Sequence, residues 1–272
     1  MRAETHIRNL IILLAVSITL EVTLMAGIHH VPDDLYHGIH LVLMAAVVGS
    51  QLFLFFRGEQ GSAARRYALW LGLGALSTGI GDYVNSALSR VEPVSLKLTW
   101  AMLLFGIGYV IYSYTLWHHC RSIRTPGTRF DRLRYLIALP ILALNVGCWV
   151  MSVQQNVAPQ ALLCYGSFVF NATIYVILPT LALWNFFYSG QGLLSLGVLI
   201  GAILLPYSDL ILFATWLTGD PPVPAFHLYA YNWILYFSGQ ALFALFPAQV
   251  MREASSDAAG QGAREINRGA PL

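Results

Sequence analysis

The sequence predicts an all-α membrane protein of eight transmembrane helices with both termini cytoplasmic. Three observations carry this reading. The 272-residue chain is 57% hydrophobic and only 10% charged, whereas soluble domains carry about a quarter charged residues. Its apolar residues come in runs of about 20, long enough to cross a hydrocarbon core roughly 30 Å thick. Its basic residues fall on alternate loops. Barrel-type alternation is absent, and a hydrocarbon core cannot satisfy open backbone groups, so the spans are helical.

The runs cover 9–28, 36–56, 67–88, 97–117, 133–153, 162–187, 192–217 and 227–246. The first, "NLIILLAVSITLEVTLMAGI", is too long for a signal-peptide core and lacks an A-x-A site, so it is retained as a span. The second opens "YHGIHLVLM", with His37 and His40 one turn apart near the outer surface. In the third, Thr78, Asp82 and Asn85 share a face. The fourth starts at the only lysine, Lys97. The sixth places Asn171 and Tyr175 four apart. The seventh, "LGVLIGAILLPYSDLILFATWL", contains Pro206 and Asp209. In the last, Asn232, Tyr236 and Gln240 recur every fourth residue and form one stripe. Asn145, Asn171 and Ser77 read as polar glue between helices, and Gly72, Gly74, Gly79 and Gly81 as packing residues.

Arg2, Arg8, Arg57, Arg65, Arg66, the arginines from Arg121 to Arg134, Arg252, Arg264 and Arg268 face one side if the helices alternate. The other side keeps Arg90 and Lys97 beside Asp33, Asp34, Glu92 and Asp220. The positive-inside rule makes the first side cytoplasmic, and the clean split supports eight crossings. The domain so defined covers 1–250, followed by a small, polar, disordered tail over 251–272. The expected location is a bacterial inner membrane. A net charge of +2 reflects orientation on that membrane and suggests no nucleic acid. The three cysteines lack metal spacing and read as free thiols. His118 and His119 read as solvated.

Two spans echo each other. "GALSTGIGD" and "GAILLPYSD" both place Asp eight residues after a Gly-Ala pair, and Trp100 and Gly106 rhyme with Trp233 and Gly239. A tandem four-helix parallel repeat accounts for this, because four crossings return the chain to its starting side. At 1.5 Å per residue, Asp82 lies roughly 9 Å below the outer end of its helix, Glu21 roughly 10 Å and Asp209 roughly 12 Å. Intramembrane carboxylates are costly and mark functional sites. The polar stripes then describe a cavity opening outward.

"LSTGIGDYVNSAL", "GAILLPYSDLILFATWL" and "YNWILYFSGQALFAL" resemble the glycine-aspartate, serine-aspartate and final-helix segments of the YhhN-like lysoplasmalogenase family, over roughly residues 36–246. Two features depart from the family pattern. Its Lys-Pro pair in the second span is replaced by His37 and His40, and its fourth-span histidine by Tyr109 or Tyr112. The resemblance implies hydrolysis of the vinyl ether of a lysoplasmalogen to a fatty aldehyde and a glycerophospho-base, without cofactor or metal. Asp82 and Asp209 are then the catalytic pair, one an acid that keeps its proton and one an anion or base, as in glycosidases. Pro206 leaves a backbone carbonyl free near Asp209, and this polar setting favours Asp209 as base and Asp82 as acid. Glu21, His37, His40, Asn85, Tyr207, Ser208, Asn232, Tyr236 and Gln240 are the expected substrate-binding residues. The partners are a lysophospholipid substrate and membrane lipids. A proton-coupled transporter using the same carboxylates is the alternative, and a metal hydrolase built on His37, His40 or His227 is a further rival. Lys97, at the surface, is a poor place for a retinal Schiff base, and no histidine pair suits a haem.

Overall fold

A computed structural model describes residues 3–27, 32–86, 88–124, 126–153, 161–217 and 225–256, without the side chains of 25–27 and 225–228. Arg2, Asp220, Arg264, Arg268, the tail from 257 and the side chain of His227 lie outside the described residues. Ten helices follow in order: α1 (Ala3–Gly27), α2 (Asp33–Arg57), α3 (Ala63–Asn85), α4 (Val94–Ile123), α5 (Arg129–Leu133), α6 (Ala138–Ser152), α7 (Ala161–Ala172), α8 (Ile174–Tyr188), α9 (Leu193–Leu217) and α10 (Ala225–Phe243). After a turn at 244–245 the chain is helical again through 256. Residues 251–256 therefore continue the last helix rather than begin a disordered tail. No strand occurs among the described residues.

Among the described residues, six helical segments are long and apolar enough to cross a membrane: Ala3–Leu24, Asp33–Arg57, Val94–Ile123, Ala161–Tyr188, Leu193–Leu217 and Tyr229–Ser256. Two of the expected spans fall short of that description. Helix α3 carries Arg65, Arg66 and Asp82, and α6 is only 15 residues long. Exposed Ile11, Val42, Phe56, Leu76, Val110 and Ile200 face away from the core, as lipid-facing residues do.

Small residues set the closest helix approaches. Helix α3 packs most extensively on α4, and α9 on α10. A Cβ added at Gly108 would lie 2.8 Å from the Gly74 carbonyl, and one added at Gly201 would lie 2.8 Å from the Gly239 carbonyl. Backbone meets backbone at both crossings, which only glycine permits. Gly106, which the sequence matched with Gly239, makes room for Phe170 instead, and it is Gly108 that forms the α3–α4 backbone contact. Trp100 is 51% exposed, whereas Trp233 is buried, so those two tryptophans are not equivalent.

Prolines free carbonyls that distant side chains then satisfy. Pro179 has no N–H to offer Tyr175, whose carbonyl accepts instead from Asn145 Nδ2 at 2.8 Å. Before Pro247 the last helix breaks, and the Ala244 carbonyl accepts from Gln51 Nε2 at 3.0 Å while His6 Nε2 lies 3.1 Å away. These bonds pin α6 to α8, and α1 and α2 to α10. A buried carbonyl without a partner is costly, which explains why these polar side chains sit in an apolar bundle. Ser77 Oγ donates to the Leu104 carbonyl at 2.8 Å, gluing α3 to α4, while Asn171 Nδ2 bonds within its own helix.

The basic end is more ordered than its composition suggests. Asp131 takes two bonds from Arg124, at 2.6 and 2.8 Å, pairs with Arg134 and accepts from Tyr188 Oη at 2.9 Å. His119 is buried, 3.3 Å from Glu253, and His118 Nδ1 lies 2.9 Å from Tyr67 Oη. Neither histidine is simply solvated.

The glycine crossings generate a prediction. Gly201→Ala should lower stability by about 1–3 kcal/mol, because its methyl meets backbone atoms that cannot give way. Gly147→Ala, where the methyl meets nothing within 4 Å, should be neutral or slightly stabilising. Thermal unfolding of the two variants in the same detergent checks this.

Candidate active site

Five helices deliver side chains to one cavity of about 330 Å³. Tyr36, His37 and His40 come from α2, and Asp82 from the end of α3. Lys97 and Phe105 come from α4, Asp209 and Trp216 from α9, and Asn232, Trp233 and Tyr236 from α10. Asp82 and Asp209 therefore share one chamber and interact electrostatically across it.

Asp209 is 2% exposed, so its oxygens depend on protein donors. Tyr175 Oη donates to Oδ2 at 2.6 Å, and Ser208 Oγ lies 3.4 Å from Oδ1. The break between α7 and α8 at Thr173 and the bond from Asn145 to the Tyr175 carbonyl hold this tyrosine in place. The Tyr109 hydroxyl, also buried, lies beside Asp209 with no hydrogen-bond partner of its own. Asp82 is less enclosed and accepts one bond, from Tyr236 Oη at 2.8 Å. The arrangement is crossed: α10 supplies the hydroxyl for Asp82 on α3, and α4 places a hydroxyl beside Asp209 on α9.

The expected binding residues divide. His37, His40, Asn85, Asn232 and Tyr236 line the cavity. Glu21, Tyr207, Ser208 and Gln240 do not. Glu21 is wholly buried behind the wall, where it accepts from Tyr36 Oη at 3.1 Å and lies 2.5 Å from His40 Nε2. It orients two wall residues, and the His40 ring stacks on Trp233 with centroids 3.8 Å apart. Ser208 Oγ turns back to the Leu205 carbonyl at 2.7 Å. Tyr207 is not part of the cavity lining. Gln240 accepts from Tyr112 Oη at 2.6 Å and donates to Thr78 Oγ1 at 3.1 Å.

That last network forms a floor. Thr78, Tyr112 and Gln240 close one helical turn beneath the tyrosine-aspartate level, over the Gly74–Gly108 crossing. The gap bounded by Val47, Gln51, Tyr112, Gln240 and Phe243 admits no water-sized sphere. Among the described residues no group of three or more His, Cys, Asp or Glu side chains gathers to hold a metal ion. The chamber thus offers two carboxylates, several hydroxyl and imidazole groups and aromatic walls, a set suited to proton transfer on a largely apolar molecule.

Sequence reasoning missed Tyr175 as the Asp209 donor, Tyr36 as a wall residue and Lys97 as a cavity residue. Tyr175 had a signal in its spacing from Asn171, and Tyr36 in standing one turn before His40. Lys97 had none, since its place depends on the loop that precedes α4. No family model, curated protein or solved structure matches the chain.

Removing the hydroxyl of Tyr175 leaves a buried carboxyl oxygen short of a donor. Tyr175→Phe should cost about 1–3 kcal/mol of stability. Tyr114→Phe, at a 48% exposed position, should cost almost nothing. Thermal denaturation of the matched pair reads the difference.

Proposed function

We propose that this protein is an integral-membrane hydrolase of the lysoplasmalogenase type, cleaving the vinyl ether of an alkenyl lysophospholipid. The observation that carries the reading is the pairing of Asp82 and Asp209 in one enclosed chamber, each furnished with a tyrosine hydroxyl. The resemblance of the three aspartate- and glutamine-bearing segments to the YhhN-like family points the same way.

An enol ether breaks when its β-carbon is protonated. The resulting oxocarbenium is captured by water, and the hemiacetal collapses to aldehyde and alcohol. Two buried carboxylates in mutual range do not both ionise readily, so one holds a proton. Asp209 accepts from Tyr175 and has two further hydroxyls beside it, those of Tyr109 and Ser208, whereas Asp82 has Tyr236 alone; this makes Asp209 the better-stabilised anion and leaves Asp82 as the acid. Asp82 delivers the proton to carbon. Asp209 faces the developing cation and directs water to it, and no metal or cofactor enters the scheme. The alkenyl chain reaches the chamber laterally between apolar helices, and the closed floor argues against a proton-coupled carrier.

In the same reading the bundle has eight crossings, formed by a duplicated four-helix unit. Gly74 and Gly201, like Asp82 and Asp209, stand 127 residues apart, and the two glycine crossings repeat the same backbone approach. The basic end, with both termini, faces the cytoplasm of a bacterial inner membrane, and the chamber lies beneath the outer leaflet.

Purified protein should release fatty aldehyde from an alkenyl lysophospholipid. Asp82→Asn and Asp209→Asn should each lower release by at least about 10²-fold, the usual scale of acid-base catalysis, while keeping the elution profile of the wild type. Release that survives both substitutions, or wild-type protein that releases none from any alkenyl lysolipid, overturns the assignment.

A further inference from the structure

Lys97 is the chain's only lysine, and it sits on the cavity wall. Its Nζ donates to the Ser86 carbonyl at 2.6 Å. None of the ion pairs among the described residues includes it. An ammonium has three donors, so capping the carbonyl end of α3 leaves two for the cavity. A partly buried cation without an anion is poorly compensated, and a ligand bringing a negative charge to this place would complete it.

The position is specific. Ser86 follows Asp82 by one helical turn, which sets the ammonium about 6 Å above the Asp82 level along α3. His37 and Asn85 line the wall at the same end of the cavity. Trp233, 7% exposed, leaves its indole N–H without a partner, and Asn232 leaves Oδ1 without one. The cavity is thus acidic one turn above its floor and cationic one turn higher again. In a glycerol ether lipid, five bonds separate the ether oxygen from the phosphorus, a reach of about 6 Å when an extended chain advances roughly 1.2 Å per bond. The two spacings agree.

We propose that Lys97 binds the phosphate ester of a single-chain ether lipid and so registers the ether oxygen opposite Asp82 and Asp209. This deepens the hydrolase reading and rests on it. It makes the phosphate a requirement for tight binding and excludes the neutral alkylglycerol as an equal ligand.

The test uses uncleavable ligands, so it does not depend on turnover. Full-length protein in detergent is titrated with a saturated 1-O-alkyl lysophospholipid, with the matching 1-O-alkylglycerol and with inorganic phosphate, following tryptophan fluorescence, to which Trp216 and Trp233 of the cavity wall contribute. The phospholipid should bind about tenfold or more tightly than the alkylglycerol, as a charge-assisted contact implies. Lys97→Gln should abolish that preference and Lys97→Arg should keep it. Because Lys97 is the only lysine, an amine-acylating reagent followed by mass spectrometry gives a second readout on the wild type. The phospholipid should protect Lys97 and the alkylglycerol should not. Equal affinities for the two ether lipids, a preference that survives Lys97→Gln, or no selective protection overturns the proposal. Inorganic phosphate binding as tightly as the phospholipid overturns the lipid assignment. Aldehyde release absent with the preference intact would remove the reaction and leave this subsite standing.

Discussion

A carboxyl group withdrawn from water needs donors, and in this bundle the tyrosine hydroxyls of α8 and α10 provide them. Tyr175 and Tyr236 each donate to one aspartate, and the surrounding helices are arranged to keep those hydroxyls in reach. Helix α8 starts after a break at Thr173 and is pinned through Asn145, which fixes Tyr175. Helix α10 is drawn against α9 at the Gly201–Gly239 crossing, which fixes Tyr236 across the chamber from its own helix pair. The polar floor of Thr78, Tyr112 and Gln240 is held by hydrogen bonds among its members and to the Ala75 carbonyl. The chamber therefore has reactive groups above and a closed base below, within a bundle whose outer surface is apolar.

That geometry divides the polar residues into two kinds. Those with every bond made inside the protein, such as Glu21 with Tyr36 and His40, or Gln240 with Tyr112, shape and stiffen the walls. Others that line the chamber, such as Trp233 and Asn232, keep a buried polar atom without a partner. A stripe on one helix can hold both kinds. Asn232 opens to the cavity, Tyr236 touches Asp82 and Gln240 lies in the floor, so the four-residue repeat maps a descent from mouth to base rather than one binding surface.

Helical periodicity and hydropathy made the spans legible, because length and apolar composition are local properties. The two aspartates were legible for the same reason: a charge in an apolar run needs no partner to be noticed. Their meeting was inferred from the echo between the two segments, whose glycine-alanine pairs coincide with the crossings at Gly74 and Gly201. What the sequence hid depends on three-dimensional pairing. Whether Ser208 faced the cavity or its own helix turned on the Leu205 carbonyl. The place of Glu21 turned on His40, and that of Lys97 on the route of the segment between α3 and α4. Proline effects were only half legible. A freed carbonyl can be counted from Pro179, but its acceptance from Asn145 requires knowing that α6 lies alongside.

The central claim is that the two aspartates share one chamber in unlike states, Asp82 holding a proton and Asp209 an anion. Infrared difference spectroscopy of the carboxyl C=O stretch at neutral pH measures this directly. The account predicts a protonated-carboxyl band that disappears in Asp82→Asn and persists in Asp209→Asn. A spectrum without that band in the wild type, or a band unaffected by Asp82→Asn, would contradict it.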